Sequence, residues 1–179
     1  MPSIAKTKRK ASSRPAAKKA PTTKKETKVQ KEQSTFARIA MLAVGDAIVF
    51  LIFAAIGRNS HGEASGLAAI PQIVLTAAPF AIGWFIVAPF IGVFRRGLAD
   101  EPKAMAKRTA LAWLLAWPVG LLLRWFFVDR LKNPPTSAAD FTSFAIVTLF
   151  FNMVVLLVWR VPYAINNMAR RNIARAQEE

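Results

Sequence analysis

The chain has 179 residues, 54% of them hydrophobic, with 25 Lys or Arg against 10 Asp or Glu and a formal net charge of +15. That apolar excess belongs to the membrane class, and the positive surplus points to anionic lipid headgroups, nucleic acid or acidic protein, according to where the charges sit. The lack of cysteine removes disulfides, thiolate metal sites, iron–sulfur ligation and thiol nucleophiles, while a single histidine, His61, removes multi-histidine zinc and bis-histidine haem sites within one chain. No metal or cofactor is therefore expected.

Residues 1–34 hold eleven Lys or Arg against Glu26 and Glu32, a surplus of nine, with Pro15 and Pro21 among Ala, Thr and Ser. Such a segment cannot bury a core and is expected to be a disordered cytoplasmic tail. More than thirty residues, most of them polar, precede the first apolar run, so no cleaved secretory signal is read.

The body, residues 35–163, contains four apolar runs. The first, 36–56, reaches about 30 Å as a helix, the thickness of the hydrocarbon core, and is interrupted by Arg38 and by Gly45-Asp46. The second, 71–94, starts at Pro71, where a first helical turn tolerates a missing N–H. Its internal Pro79 and Pro89 predict kinks satisfied by neighbouring helices.

The third run, 109–128, carries Pro118 and Arg124. Pro134-Pro135 marks a link, Asp140 stands at the expected N-cap, and the fourth run is 141–159, closed by Arg160 and Pro162. Residues 164–179 form a basic cytoplasmic tail. It reads either as an interfacial amphipathic helix or as a frayed polar segment. Four such runs leave almost no polar face for water, so the expected fold is all-α: a polytopic four-transmembrane-helix bundle.

Lys and Arg number eleven in the N-terminal tail, five from Arg95 to Arg108 and four from Arg160 onward, but only Arg58, Arg130 and Lys132 in the two other links. The positive-inside rule then puts both termini in the cytoplasm, in the plasma membrane or, for a bacterium, the inner membrane.

Asp46 lies ten residues into the first span, near the bilayer midplane, where an ionised carboxylate costs at least ~2.5 kcal/mol. Arg124 on the third span is predicted about 7 Å farther out, within reach of an ion pair, or else extended to the outer headgroups. Asn152 on the fourth span lies within about one turn of the depth of Asp46. These three polar residues form a candidate intramembrane cluster. Asp46, Phe50, Phe53 and Gly57 share one face, Trp113, Trp117, Gly120 and Arg124 a second, and Thr148, Asn152, Val155 and Trp159 a third, read chiefly as packing surfaces. Asp46 reads either as a structural group or as a proton or ion carrier. Asn152 reads as interhelical glue. Arg58 and His61 form a candidate polar group at the outer mouth, suited to lipid phosphate or an anionic solute, with solvated side chains as the plain alternative.

Gly45-Asp46, Phe53, Gly57-Arg58, His61, Trp117-Pro118-Val119-Gly120, Arg124 and Trp159-Arg160 together resemble an uncharacterised family of small four-helix bacterial and archaeal membrane proteins, the domain of unknown function DUF3054. The resemblance covers roughly residues 36–162 and implies the same topology and residues, but no substrate. No enzyme motif is present. The expected function is a non-enzymatic accessory or scaffold subunit. The alternative is a small proton- or ion-coupled transporter or channel using Asp46, which would need a water path and an oligomer. A lipid-headgroup enzyme acting through Arg58 and His61 ranks last. Expected partners are the bilayer, anionic headgroups held by the basic tails, and a homo-oligomer or larger membrane complex, with nucleic acid less favoured for the N-terminal tail.

Overall fold

The computed structural model describes residues 22–60, 67–131 and 136–177. Four helices run in chain order as α1 (Thr22–Ser60), α2 (Ile70–Ile91), α3 (Pro102–Phe127) and α4 (Ala138–Ala176), with 3₁₀ turns at Leu67–Ala69, Arg96–Asp100 and Asp129–Leu131 and no strand among the described residues. Each helix contains a stretch long and apolar enough to cross a bilayer, in α1 over Thr35–Arg58. In hydrocarbon every backbone polar group must be satisfied within the protein, which such apolar runs achieve only as helices. The protein is an all-α membrane protein with four membrane-capable helices.

Helix ends depart from the apolar runs where local chemistry overrides hydropathy. The helix containing the first span begins at Thr22, ahead of the apolar run. Lys, Glu and Gln favour helix wherever an adjoining helix removes the cost of nucleation. Residues 1–21 lie outside the described residues, as does the sequence expectation for them. The second run stops at Ile91 instead of continuing to residue 94. Gly92 takes a left-handed conformation (φ 74°), and Val93 N–H donates to the Ala88 carbonyl at 3.1 Å while Gly92 N–H donates to Pro89 at 3.0 Å, a Schellman closure. The third helix starts at Pro102, well before residue 109, because Lys103, Lys107 and Arg108 are good helix formers excluded from an apolar count.

The fourth helix corrects two expectations. Its N-cap is Ser137, not Asp140. The Ser137 hydroxyl accepts from Asp140 N–H at 3.1 Å and donates to the Asp140 carboxylate at 2.6 Å, so the aspartate is the partner of the cap. Nor does Pro162 end the helix, which continues to Ala176. Proline removes one backbone hydrogen bond, and packing beyond it compensates. Tyr163 and Ala164 rest on Leu98 and Met105, and Arg171 pairs with Asp100.

The core is aromatic. Phe50, Phe80, Trp84 and Trp113 are fully buried, with ring centroids 5.6 Å apart for Phe50 and Trp113 and 6.3 Å for Phe80 and Trp113. Two indoles staple α3 to α4: Trp113 Nε1 donates to the Leu149 carbonyl at 2.9 Å and Trp117 Nε1 to Ala145 at 3.1 Å. Helices α2 and α3 approach through small residues. A β-carbon on Gly83 would stand 3.0 Å from both the Ala116 carbonyl and the Gly120 nitrogen, and one on Gly120 would stand 2.6 Å from the Phe80 ring. Val44, Phe90, Leu122 and Val158 point outward, one from each helix, as a lipid-facing surface requires.

Gly83→Val is expected to destabilise the bundle by about 1–3 kcal/mol, because backbone on α3 cannot yield to the added carbons. Gly57→Ala, where an added β-carbon meets nothing within 4 Å, should be neutral or slightly stabilising. Thermal unfolding of the two variants in one detergent checks the contrast.

Candidate functional site

Asp46 projects from the middle of the α1 span, and its partner is Arg160 on α4. Arg160 Nε donates to Asp46 Oδ1 at 2.8 Å, and Arg160 Nη2 bonds Asp46 Oδ2, which also accepts from Trp84 Nε1 of α2 at 3.0 Å. This side-on bidentate pairing occupies both carboxylate oxygens. The remaining Arg160 nitrogen, Nη1, lies 3.4 Å from the Val93 carbonyl and 3.7 Å from Met105 Sδ of α3. The rings of Trp84 and Phe94 flank the guanidinium at 5.3 and 5.1 Å. Asp46 and Arg160 are both 0% exposed. One arginine therefore touches α1, α2, α3 and the turn that closes α2.

The sequence neighbours of the pair make it possible. Trp159 lies directly against Gly45, where any side chain would collide with its indole ring. The Gly45-Asp46 and Trp159-Arg160 dipeptides thus dock as one unit: the glycine admits the indole ring, and the carboxylate takes the guanidinium. Val93 and Met105 line the site, and Leu98 and Ala164 pack with Met105 behind it; all four are buried.

The predicted cluster of Asp46, Arg124 and Asn152 is not assembled. Arg124 pairs instead with Asp129, Nε to Oδ2 at 3.1 Å and Nη2 to Oδ1 at 3.3 Å, and lies 3.9 Å over the Phe144 ring. Its side chain is 11% exposed, so it does not reach out to the headgroups either. The reason is register: α3 meets the Asp46–Arg160 level at Met105, and Arg124 is nineteen residues farther along, about 28 Å of helix. Asp129, held also by Thr136 Oγ1 at 3.1 Å, is the nearer carboxylate. Asn152 is fully buried but bonds within its own helix, Nδ2 to the Thr148 carbonyl at 3.1 Å. Among the described residues its Oδ1 has no hydrogen-bond partner. Arg58 is half-buried at the end of α1, and His61 lies outside the described residues.

Arg160 was hidden by its position. At the end of an apolar run it counts as a basic flank, yet it continues the buried face Ala145, Thr148, Asn152, Leu156 by one more turn. The sequence stripe through Val155 and Trp159 ran along the neighbouring face. Following i+4 from Asn152 through Leu156 puts Arg160 on the same face as Asn152, though not beside any particular partner.

The family described as "Protein of unknown function (DUF3054)" matches residues 43–163. The chain belongs to this family. No curated protein and no solved structure matches the chain. The stretch matched to DUF3054 contains Asp46, Trp84, Met105 and Arg160, and so the whole of the lock described above.

Arg160→Gln is expected to destabilise the fold by about 3–5 kcal/mol, since it strands a buried carboxylate, and Asp46→Leu combined with Arg160→Met should recover most of that loss. A double-mutant cycle between Asp46 and Arg124, read by unfolding in mixed micelles, should give coupling below about 0.5 kcal/mol, against several for Asp46 and Arg160.

Proposed function

We propose that this DUF3054 protein is a non-enzymatic accessory or scaffold subunit of the cell membrane, in which Asp46 and Arg160 hold four helices together and do no transport. The observation that carries this reading is the saturation of Asp46. A carboxylate that exchanges protons or cations needs a vacant oxygen and a path to water, whereas both oxygens of Asp46 are engaged and the residue has no exposed surface. A cleft of about 470 Å³ opens among Trp125, Asp129, Arg130, Thr136 and Phe141, at the end of α3 away from Met105, and Asp46 is not among its lining residues. A scaffold also suits the long α4. Its 39 residues measure about 58 Å, nearly twice the hydrocarbon thickness, and leave a basic helical end outside the apolar layer.

In this reading both termini are cytoplasmic, supported by the concentration of Lys and Arg in residues 1–34, 95–108 and 170–175. The basic ends meet anionic headgroups, and the partner is a second copy or a larger membrane complex.

Three measurements test the proposal. Liposomes carrying the protein should show no proton or cation flux above empty vesicles. Flux that disappears in a correctly folded Asp46→Asn variant would instead establish the transporter. Extraction from native membranes should yield a reproducible assembly larger than the 19.7 kDa chain. Because the chain has no cysteine, a membrane-impermeant maleimide should label Ser60→Cys in intact cells and Ser3→Cys only after permeabilisation.

A further inference from the structure

The turn that closes α2 gathers three arginines from three parts of the chain. Arg108 on α3 donates through Nη1 to the Ile91 carbonyl at 3.0 Å. Arg38 on α1 donates through Nη1 to the Arg95 carbonyl at 3.1 Å and through Nη2 to Phe94 at 3.2 Å. Arg95 folds back over Gly92, so that a β-carbon there would stand 2.6 Å from Arg95 Nε and 2.9 Å from Arg108 Nη1. The two guanidinium groups are therefore neighbours across a single point of backbone that only glycine leaves open.

Like charges this close require compensation. The carbonyls at the end of α2 supply part of it, as the negative end of a helix dipole. Carboxylates supply less: among the described residues Arg38, Arg95 and Arg108 make no ion pair, and Asp100, whose charge is felt by Arg38, is paired with Arg171. Each guanidinium has five N–H donors, and the carbonyls use one or two on Arg38 and Arg108, leaving a fork of cationic donors for an anion. The surroundings select its source. Leu111 and Leu115, at i+3 and i+7 from Arg108, continue the same face into the apolar span and are exposed, as is Phe90 on α2. Cationic donors at the border of the span, with a greasy wall above them, match one molecule of phospholipid.

We propose that Arg95 and Arg108, with Arg38 beside them, bind the phosphate of an anionic membrane phospholipid whose acyl chains lie along Leu111, Leu115 and Phe90. This site is distinct from the basic tails and rests only on the chain's being a membrane protein, not on its accessory role.

Full-length protein in a zwitterionic detergent is titrated with phosphatidylglycerol or phosphatidylcholine, and bound lipid is read by native mass spectrometry. Wild type should retain phosphatidylglycerol in preference. Arg95→Gln with Arg108→Gln should lower that preference roughly 10- to 30-fold, whereas Lys103→Gln with Lys107→Gln, the same loss of charge next to the site, should lower it less than about threefold. Equal losses in the two pairs, or no preference in wild type, would overturn the site. If the glutamine pair does not fold, Arg95→Lys with Arg108→Lys decides. It keeps the charge and removes the fork, so unchanged retention refutes the proposal and a several-fold loss supports it. Displacement of the lipid by millimolar inorganic phosphate alone would overturn the lipid assignment in favour of a free-phosphate site. A protein dispersed in buffer without detergent would instead refute the membrane reading.

Discussion

A charge alone in hydrocarbon costs about 2.5–3.5 kcal/mol even by the most lenient scale, so Asp46 and Arg160 are tolerable in the span only together. Their pairing is neutral in sum, bidentate in geometry and completed by Trp84, the Val93 carbonyl and Met105. The stabilisation it provides relative to an apolar core is small, because desolvating both ions offsets most of their attraction. Its effect is on specificity. A helix that slides or rotates against its neighbours strands one of the two ions, and that penalty selects one register among many greasy alternatives.

The rest of the bundle is arranged around this constraint. Without a hydrophobic drive between helices in lipid, close packing must do the work, and the molecule uses aromatic rings where helices stand apart and glycine where they touch. Trp113 lies near Phe50, Phe80 and Trp84, so one side chain of α3 meets both α1 and α2 while its indole N–H fastens α4. Gly83 and Gly120 then allow α2 and α3 to close on each other. Below the ion pair, the left-handed Gly92 turns the chain so that Val93 and Phe94 cover Arg160, and the carbonyls so released are occupied by Arg38, Arg108 and Arg160. The end of α2 thereby serves as a cap on the buried charge.

Such a centre favours a role in holding shape. Its charges are matched, its donors are spent and its walls are tryptophan, phenylalanine and methionine. The unspent cationic donors stand instead at the turn after α2, where the apolar span ends. A single chain thus uses arginine in two ways: Arg160 inside, neutralised by a carboxylate, and Arg38 and Arg108 at the turn after α2, held by backbone carbonyls.

Length and oiliness of the apolar runs were sufficient to read four helices from the sequence, because a bilayer penalises any other backbone arrangement, and an isolated Asp46 marked itself as important for the same reason. Helix ends were less legible. Gly92, Pro102 and Ser137 act through backbone geometry and capping, to which hydropathy is blind, and Pro162 stays helical only because Tyr163, Ala164 and Arg171 find partners on the turn after α2. The partner of Asp46 was decided by the tertiary structure alone. Arg124 and Arg160 are equally cationic and both stand near the end of a run, and depth counted along separate helices carries no information on how far one slides past another. That offset is set by side chains meeting across helices, Trp159 on Gly45 and Trp113 on Leu149, and it places Arg160 beside the carboxylate while leaving Arg124 with Asp129.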